Sequence, residues 1–210
     1  MSLRAISAAI AAVLMTSACV HSPLQLSTTV ETRSGPVRGS LDAGVVSFKG
    51  IPYAAPPTGN LRWRPPAPAA PWTAPLDATT FGPQCVQPQR TGPGSRPGQP
   101  APQAMSEDCL SVNVWTSAKS ADARLPVLVW LHGGNFALSS GAGYDGANLS
   151  RRGIVVVSLN YRLGVVGFLA HPALTLESAQ GVSGNYGLLD EIAALQWVRE
   201  NIALFGGDPG

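Results

Sequence analysis

The sequence contains few charged residues. Lysine, arginine, aspartate and glutamate make up 12% of its 210 residues, about half the share typical of a soluble domain. The formal net charge is only +2, so the sequence lacks the basic surface of a nucleic-acid-binding protein and the composition of a charged disordered tail. Hydrophobic residues at 45% are enough to form a core. We expect a folded domain without a nucleic-acid partner.

The N-terminus lacks an apolar stretch long enough to cross a bilayer, which takes roughly 20 residues. Residues 1–18 instead combine one positive charge, a shorter apolar stretch and small residues before Cys19, the pattern of a secretory signal. We predict a signal peptide over 1–18, a linker over 19–34 and one domain over 35–210. The protein is therefore expected to be exported, to the periplasm, the outer membrane or the medium.

Ala18-Cys19 resembles the lipobox of bacterial lipoproteins, in which the cysteine is acylated and attaches the protein to a membrane. Thr16 departs from that pattern, which prefers leucine. Val20 in place of aspartate favours the outer membrane over the inner one. Lipidation of Cys19 and plain secretion both remain open.

Cysteine is rare as well. Without Cys19 only Cys85 and Cys109 remain, an even pair in an exported protein, where the compartment permits a disulfide. A bridge would close a flexible loop and stabilise the fold by roughly 3 kcal/mol. The alternative is two unpaired buried thiols.

Glycine and proline are abundant instead, with 23 and 19 residues, so loops are expected to be long. Most of the prolines lie within residues 52–102, where three aromatic residues offer apolar area for docking the loops onto a core: Trp63, Trp72 and Phe81.

Regular structure is predicted on either side of that region. Residues 37–41 and 45–48 flank a turn and predict a hairpin, and 112–115 predicts a short strand. Continuous apolar runs at 125–131 and 154–159 predict strands of a sheet buried on both faces, in parallel order. A final helix over 188–205 should bury five apolar residues at helical spacing: Leu188, Ile192, Leu195, Val198 and Ile202. Together these elements predict an open α/β sheet.

A glycine-rich turn follows the strand at 125–131. Its backbone N–H groups can point outward unhindered and stabilise an oxyanion by about 3 to 4 kcal/mol. The turn belongs to an ordered series of motifs: Gly50-Ile51-Pro52-Tyr53-Ala54, Leu61-Arg62-Trp63, Ser106-Glu107-Asp108-Cys109-Leu110, His132-Gly133-Gly134-Asn135-Phe136, Asn160-Tyr161-Arg162-Leu163-Gly164, Gly184-Asn185-Tyr186-Gly187-Leu188 and Phe205-Gly206-Gly207-Asp208-Pro209. Over about residues 35–210 this series resembles the type B carboxylesterases, which include cholinesterases and lipases of the α/β-hydrolase fold.

The resemblance implies an α/β-hydrolase fold with a mostly parallel central sheet and long irregular loops. It implies a small-molecule carboxylic ester as substrate and oxyanion-hole N–H groups from Gly134 and Asn135, where Asn135 stands in place of the usual glycine or alanine. His132 would be structural and not the catalytic base. The resemblance also implies three structural pairs, of which the ion pairs could alternatively be solvated surface charges: the disulfide Cys85–Cys109 and the ion pairs Arg62–Glu107 and Arg162–Asp190.

The family's catalytic serine, acid and histidine are absent from these 210 residues, since the acid and the histidine follow the serine in chain order. No serine lies in a Gly-x-Ser-x-Gly turn; the nearest, Ser183, is expected to be a loop residue, and His171 a loop or cap histidine. The sequence therefore predicts the N-terminal part of an ester hydrolase, truncated before the nucleophile turn, inactive alone and prone to aggregate. A non-catalytic, cholinesterase-like adhesion module remains the alternative.

The sequence predicts neither a dinucleotide-binding site nor a metal site. Residues 141–146 fit G-x-G-x-x-G, but they lie ten residues after a strand and lack the acidic partner about 20 positions on. No residues have metal-ligand spacing. We expect neither cofactor nor metal, and the sequence predicts no oligomeric state.

Overall fold

A computed structural model describes residues 26–88 and 104–210; the predicted signal peptide and Cys19 lie outside these residues. The elements in chain order are β1 (Thr29–Thr32), β2 (Gly35–Arg38), β3 (Ser40–Asp42), β4 (Val45–Pro52), β5 (Leu76–Asp77), β6 (Gln84–Cys85), β7 (Met105–Ser106), β8 (Ser111–Thr116), β9 (Val127–Trp130), α1 (Ala147–Ser150), β10 (Val155–Leu159), α2 (Gly164–Phe168), α3 (Pro172–Glu177) and α4 (Tyr186–Asn201), with short 3-10 helices at Gly59–Leu61, Ala121–Ala123, Gly141–Gly143 and Ile202–Phe205.

Five strands form the central sheet in the order β3-β4-β8-β10-β9. β9 and β10 pair in parallel, as their continuous apolar runs predict. The other three pairings in this sheet are antiparallel, so within the central sheet as the structure describes it the expected parallel order is limited to β9 and β10. The short pairs β2–β5 and β6–β7, which lie outside this sheet, are also parallel. The predicted hairpin is β3–β4, where Ala43 and Gly44 both have positive φ and make a tight turn that joins only antiparallel strands.

The predicted linker 19–34 is wrong at its C-terminal end. β1 pairs with β2 in antiparallel register, and Leu26 and Val30 are buried. Residues 26–34 therefore belong to the folded domain. The alternation of β1 spans only four residues, which is too few for the pattern to stand out from a polar segment.

The core lies on the central strands. Every residue of β8 and β10 is buried, and the rings of Phe48 and Phe205 meet edge to face with centroids 4.9 Å apart. This contact joins β4 to the 3-10 turn after α4, so the sheet and the last helix share one core.

The proline-rich region is docked by its aromatic residues, as predicted. The Trp72 ring packs against the core, and its Nε1–H donates to the carbonyl oxygen of Pro36 at 2.8 Å. Trp63 Nε1–H donates to the carbonyl oxygen of Val165 at 3.0 Å. Each indole anchors a loop that has little regular structure of its own.

Helix α4 is present, but of the five apolar residues predicted to be buried only Val198 and Ile202 are buried. Its buried residues include Asp190, Ala194 and Trp197, whereas Leu188 and Ile192 are exposed. Asp190 and Ala194 are each two positions after Leu188 and Ile192, and two positions correspond to a rotation of roughly 200° around a helix. The pattern failed because a buried charge, Asp190, lies at the centre of the inward face. Among the described helices none has the length and apolar character needed to traverse a lipid bilayer.

Candidate functional site

Residues 132–136, here called the glycine turn, begin two positions after the last residue of β9. Gly134, Asn135 and Phe136 all have positive φ, at 125°, 53° and 58°. A left-handed conformation costs an L-residue about 1–2 kcal/mol, so the surroundings must hold Asn135 and Phe136 in place. Gly134 is required for another reason: a β-carbon there would lie 2.1 Å from the carbonyl oxygen of Leu138.

In the part of the chain that the structure describes, several backbone N–H groups of the turn have no protein acceptor, among them the two that the resemblance assigns to an oxyanion hole. The N–H groups of Ala137 and Leu138 both donate to the Gly134 carbonyl oxygen, at 3.0 and 3.1 Å. Within the described ranges, the N–H groups of Gly134 and Asn135 donate to no protein atom. Asn135 is exposed and Gly134 is partly exposed. Two neighbouring amides in one rigid turn are therefore available to bind an anionic oxygen.

His132, at the start of the turn, is 3% exposed. Its Nδ1 lies 3.0 Å from the carbonyl oxygen of Gly133, and since a carbonyl can only accept, Nδ1 carries the proton of the neutral ring. Nε2 is buried and has no partner in the described part of the chain. Burial lowers the pKa of His132, so the ring is held neutral inside the fold.

The disulfide Cys85–Cys109 is formed, with Cα atoms 5.0 Å apart.

Two residues after Cys85, the side chain of Gln87 forms hydrogen bonds with the loop that follows the glycine turn. Gln87 Oε1 accepts from Ser139 N–H at 2.8 Å, and Nε2 donates to the Ser139 carbonyl at 2.9 Å. Ser139 has a φ of 93°, so this pair of hydrogen bonds holds a strained residue.

Arg162 and Asp190 form a bidentate pair that is almost wholly buried, with side chains 1% and 0% exposed. The distances are 2.7 Å from Nη2 to Oδ1 and 2.8 Å from Nε to Oδ2. Nη2 also donates to the carbonyl oxygen of Arg64. Burial raises the pKa of Asp190, and the hydrogen bond and charge of Arg162 oppose that rise.

The second predicted pair, Arg62 and Glu107, is also bidentate, with Nε to Oε1 and Nη2 to Oε2 both at 2.8 Å. These side chains are 38% and 24% exposed. Glu107, Arg162 and the disulfide line one narrow crevice. Each of the three structural pairs implied by the resemblance therefore contributes at least one residue to this crevice.

Ser183 and His171 make loop contacts, as the sequence predicts. The Oγ of Ser183 accepts from the His171 N–H at 3.1 Å and lies 2.7 Å from the hydroxyl of Thr175. Nδ1 of His171 accepts from Ala173 N–H and caps α3. Neither group is arranged as a nucleophile and base.

Two of the three glycines in 141–146, Gly141 and Gly146, are closely packed, whereas Gly143 has open space around it. Gly141 N–H donates to Asn160 Oδ1 at 2.8 Å, and a β-carbon on Gly146 would lie 2.8 Å from the Trp115 ring and from Val156. Among residues 26–88 and 104–210 no three acidic, histidine or cysteine residues are grouped to hold a metal ion.

Sequence reasoning missed Gln87 and the contacts that Tyr161 makes with His132. Gln87 is 52 positions from Ser139 in a polar loop, and no local pattern marks such a contact. Tyr161 belongs to the motif at residues 160–164, but its contacts with the glycine turn depend on the carboxyl ends of β9 and β10 lying side by side.

Comparisons with known proteins agree on one family. The sequence model described as "Carboxylesterase family" matches residues 26–210. The fumonisin B1 esterase of Sphingopyxis macrogoltabida is 51% identical over 180 residues, 85% of this chain and 32% of that protein. The para-nitrobenzyl esterase of Bacillus subtilis is 46% identical over 183 residues, 86% of this chain and 36% of that protein.

Solved structures give the same result. A carboxylesterase of Geobacillus stearothermophilus superposes with a TM-score of 0.74 at 44% identity, covering 87% of this chain and 36% of that one. The matches lie in the N-terminal part of the relatives. The chain thus spans about a third of the length of the curated relatives it matches.

Proposed function

The chain belongs to the carboxylesterase family, has its α/β-hydrolase fold, and from that premise we propose that its parent polypeptide is a serine hydrolase of small-molecule carboxylic esters. In this proposal a serine supplied by residues outside these 210 attacks the ester carbonyl. The alcohol leaves, and water hydrolyses the acyl-enzyme to regenerate the serine. The present chain supplies part of the oxyanion hole.

One observation carries the proposal: the N–H groups of Gly134 and Asn135 have no protein acceptor in the described residues, although hydrogen bonds to the carbonyl oxygens of Gly134 and Phe136 close the turn around them. Negative charge develops on the carbonyl oxygen as the ester is attacked. Donors that are already in place at that oxygen lower the barrier, because they need no reorganisation during the reaction.

The 210 residues alone are proposed to be inactive. They contain no Gly-x-Ser-x-Gly turn, and His132 has its Nδ1–H directed to Gly133 and its ring buried. Without a nucleophile and a base, two oxyanion donors can bind a carbonyl oxygen but cannot form an acyl-enzyme.

Two experiments test the activity. The coding DNA is read beyond codon 210, where the proposal expects a Gly-x-Ser-x-Gly sequence within about a dozen codons. The complete gene product is then assayed on p-nitrophenyl esters of increasing acyl length. A different residue at the serine position, with no turnover of any ester, would favour the adhesion module instead.

We also propose that the protein is exported, with residues 1–18 removed and Cys19 acylated. The support is the sequence pattern alone. Mass spectrometry of the mature N-terminus tests it: an N-terminal lipidated Cys19 supports the lipoprotein, an unmodified processed terminus supports secretion, and a retained Met1 contradicts both.

A further inference from the structure

Tyr161 contacts both ends of the glycine turn. It follows β10, as the turn follows β9, and because these strands are parallel their carboxyl ends meet at one edge of the sheet. The Tyr161 ring stacks on the ring of His132 with centroids 4.4 Å apart and planes 15° apart. It also meets the Phe136 ring edge-on at 6.5 Å.

The hydroxyl of Tyr161 makes the polar part of this contact. It donates to the carbonyl oxygen of His132 at 2.7 Å, and Tyr161 is only 2% exposed. Burial raises the pKa of Tyr161 to about 12. The phenol therefore stays protonated, and remains a donor, over the pH range in which esters are assayed.

This hydrogen bond fixes the first peptide plane of the turn. The His132 carbonyl and the Gly133 N–H belong to one planar unit, so holding the carbonyl sets the direction of the following amide. At the other end, Gly164 N–H donates to the Phe136 carbonyl oxygen at 2.7 Å. Gly134 and Asn135 lie between these two fixed points, and both contacts come from the segment that begins after β10.

We propose that Tyr161 is a positioning residue, whose hydroxyl and ring hold the glycine turn in the conformation that leaves the Gly134 and Asn135 amides free for an oxyanion. The inference rests on the proposed function, because it assigns a purpose to those amides. The conformational part can be measured without any substrate.

The first test compares Tyr161→Phe with the wild type in the complete gene product. The variant keeps the ring and removes only the donor. We expect kcat to fall about tenfold with little change in KM, less than the roughly 100- to 1,000-fold loss seen when an oxyanion donor itself is removed. Tyr144→Phe is the control, because it removes a phenol oxygen from an exposed ring and should leave kcat unchanged.

The second measurement is hydrogen exchange at the amides of Ala137 and Leu138, which are bonded within the turn. In Tyr161→Phe these amides should exchange faster, while those of α4 keep wild-type rates. Unchanged exchange at Ala137 and Leu138 would overturn the inference, whatever the activity. If the wild type hydrolyses no ester, the proposed function fails while the exchange data still decide the role of Tyr161.

A fluorinated tyrosine at position 161 covers the case in which the phenylalanine variant does not fold. Fluorine keeps the shape of the ring and lowers the pKa of the phenol, and an ionised phenol cannot donate. We expect kcat of this protein to fall at alkaline pH where wild-type kcat does not. Identical pH profiles, measured up to a pH at which the absorbance of the fluorinated phenol shows that it is ionised, would contradict the inference.

Discussion

The carbonyl oxygen of Leu138 occupies the space into which a side chain on Gly134 would project, 2.1 Å from the position of a β-carbon. The same Gly134 presents its own carbonyl to the N–H groups of Ala137 and Leu138. Its neighbour Gly133 has open space at the corresponding position. Only one of the two glycines in the turn is therefore required by packing.

Replacement of Gly134 by alanine should move the turn, because both the 2.1 Å contact and the φ of 125° exclude a side chain. We expect kcat of the complete protein on p-nitrophenyl acetate to fall about 100-fold or more, the scale of losing an oxyanion donor. Gly133→Ala is the matched control for stability and should melt at the wild-type temperature. Equal melting temperatures and equal kcat for Gly134→Ala and the wild type would refute this account of the turn.

Gln87→Ala should loosen the loop after the glycine turn. The substitution removes both hydrogen bonds to Ser139, leaving a backbone N–H and a carbonyl that must find other partners. We expect the free energy of unfolding to drop by about 1–3 kcal/mol, measured by urea denaturation, together with a lower kcat. Gln196→Ala, at an exposed position of α4, controls for loss of a glutamine side chain and should change neither value.

The two arginine–carboxylate pairs should differ in cost when broken. Asp190→Asn leaves Arg162 buried beside a neutral amide and should destabilise the protein by about 3–5 kcal/mol. Glu107→Gln breaks a pair of similar geometry whose side chains are partly exposed, and should cost about 1 kcal/mol or less. Urea denaturation of both variants tests the contrast, and equal costs would show that burial does not decide it.

The strands of the parallel pair were predictable because β9 and β10 are continuous apolar runs bounded by polar residues. The disulfide followed from an even cysteine count and the family resemblance. The helix face did not follow, because Asp190 is buried through its pairing with Arg162, 28 residues earlier. An argument from hydrophobic periodicity assigns charged residues to the exposed face of a helix, so it cannot place Asp190 on the buried face.

The site was predictable only in part for a similar reason. Glycines after a strand predict a turn, and the structure has one there; the oxyanion role of Gly134 and Asn135 came from the family resemblance and stays a prediction. What holds the turn comes from Gln87 and Tyr161, whose partners are 52 and 29 residues away. Such contacts depend on the order of strands in the sheet, which neither composition nor local spacing determines.

Residues 19–210 expressed alone should aggregate. Trp130 and Leu131 are each 41% exposed and Val165 is 63% exposed. Within the described part of the chain β9 is an edge strand with no strand paired on its outer side, and an isolated bridge between Leu125 and Gly207 lies just before it. An apolar strand edge of this kind is a site of association between chains. Light scattering during size-exclusion chromatography tests the expectation, and a monomer that melts cooperatively would contradict it.

Acid should weaken the fold through His132. Its pKa is lowered by burial, whereas in the unfolded chain a histidine has a pKa near 6.5. Between the lowered value and about 6.5 the unfolded state therefore binds more protons than the folded state, so stability decreases as pH falls through that window, by at most about 1.4 kcal/mol per pH unit.

The variant His132→Asn removes this contribution. We expect the wild type to lose more free energy of unfolding than His132→Asn between pH 7 and pH 5.5, measured by urea denaturation. Parallel losses in the two proteins would mean that the ring is protonated inside the fold, which would require an acceptor for Nε2 that the described residues do not provide.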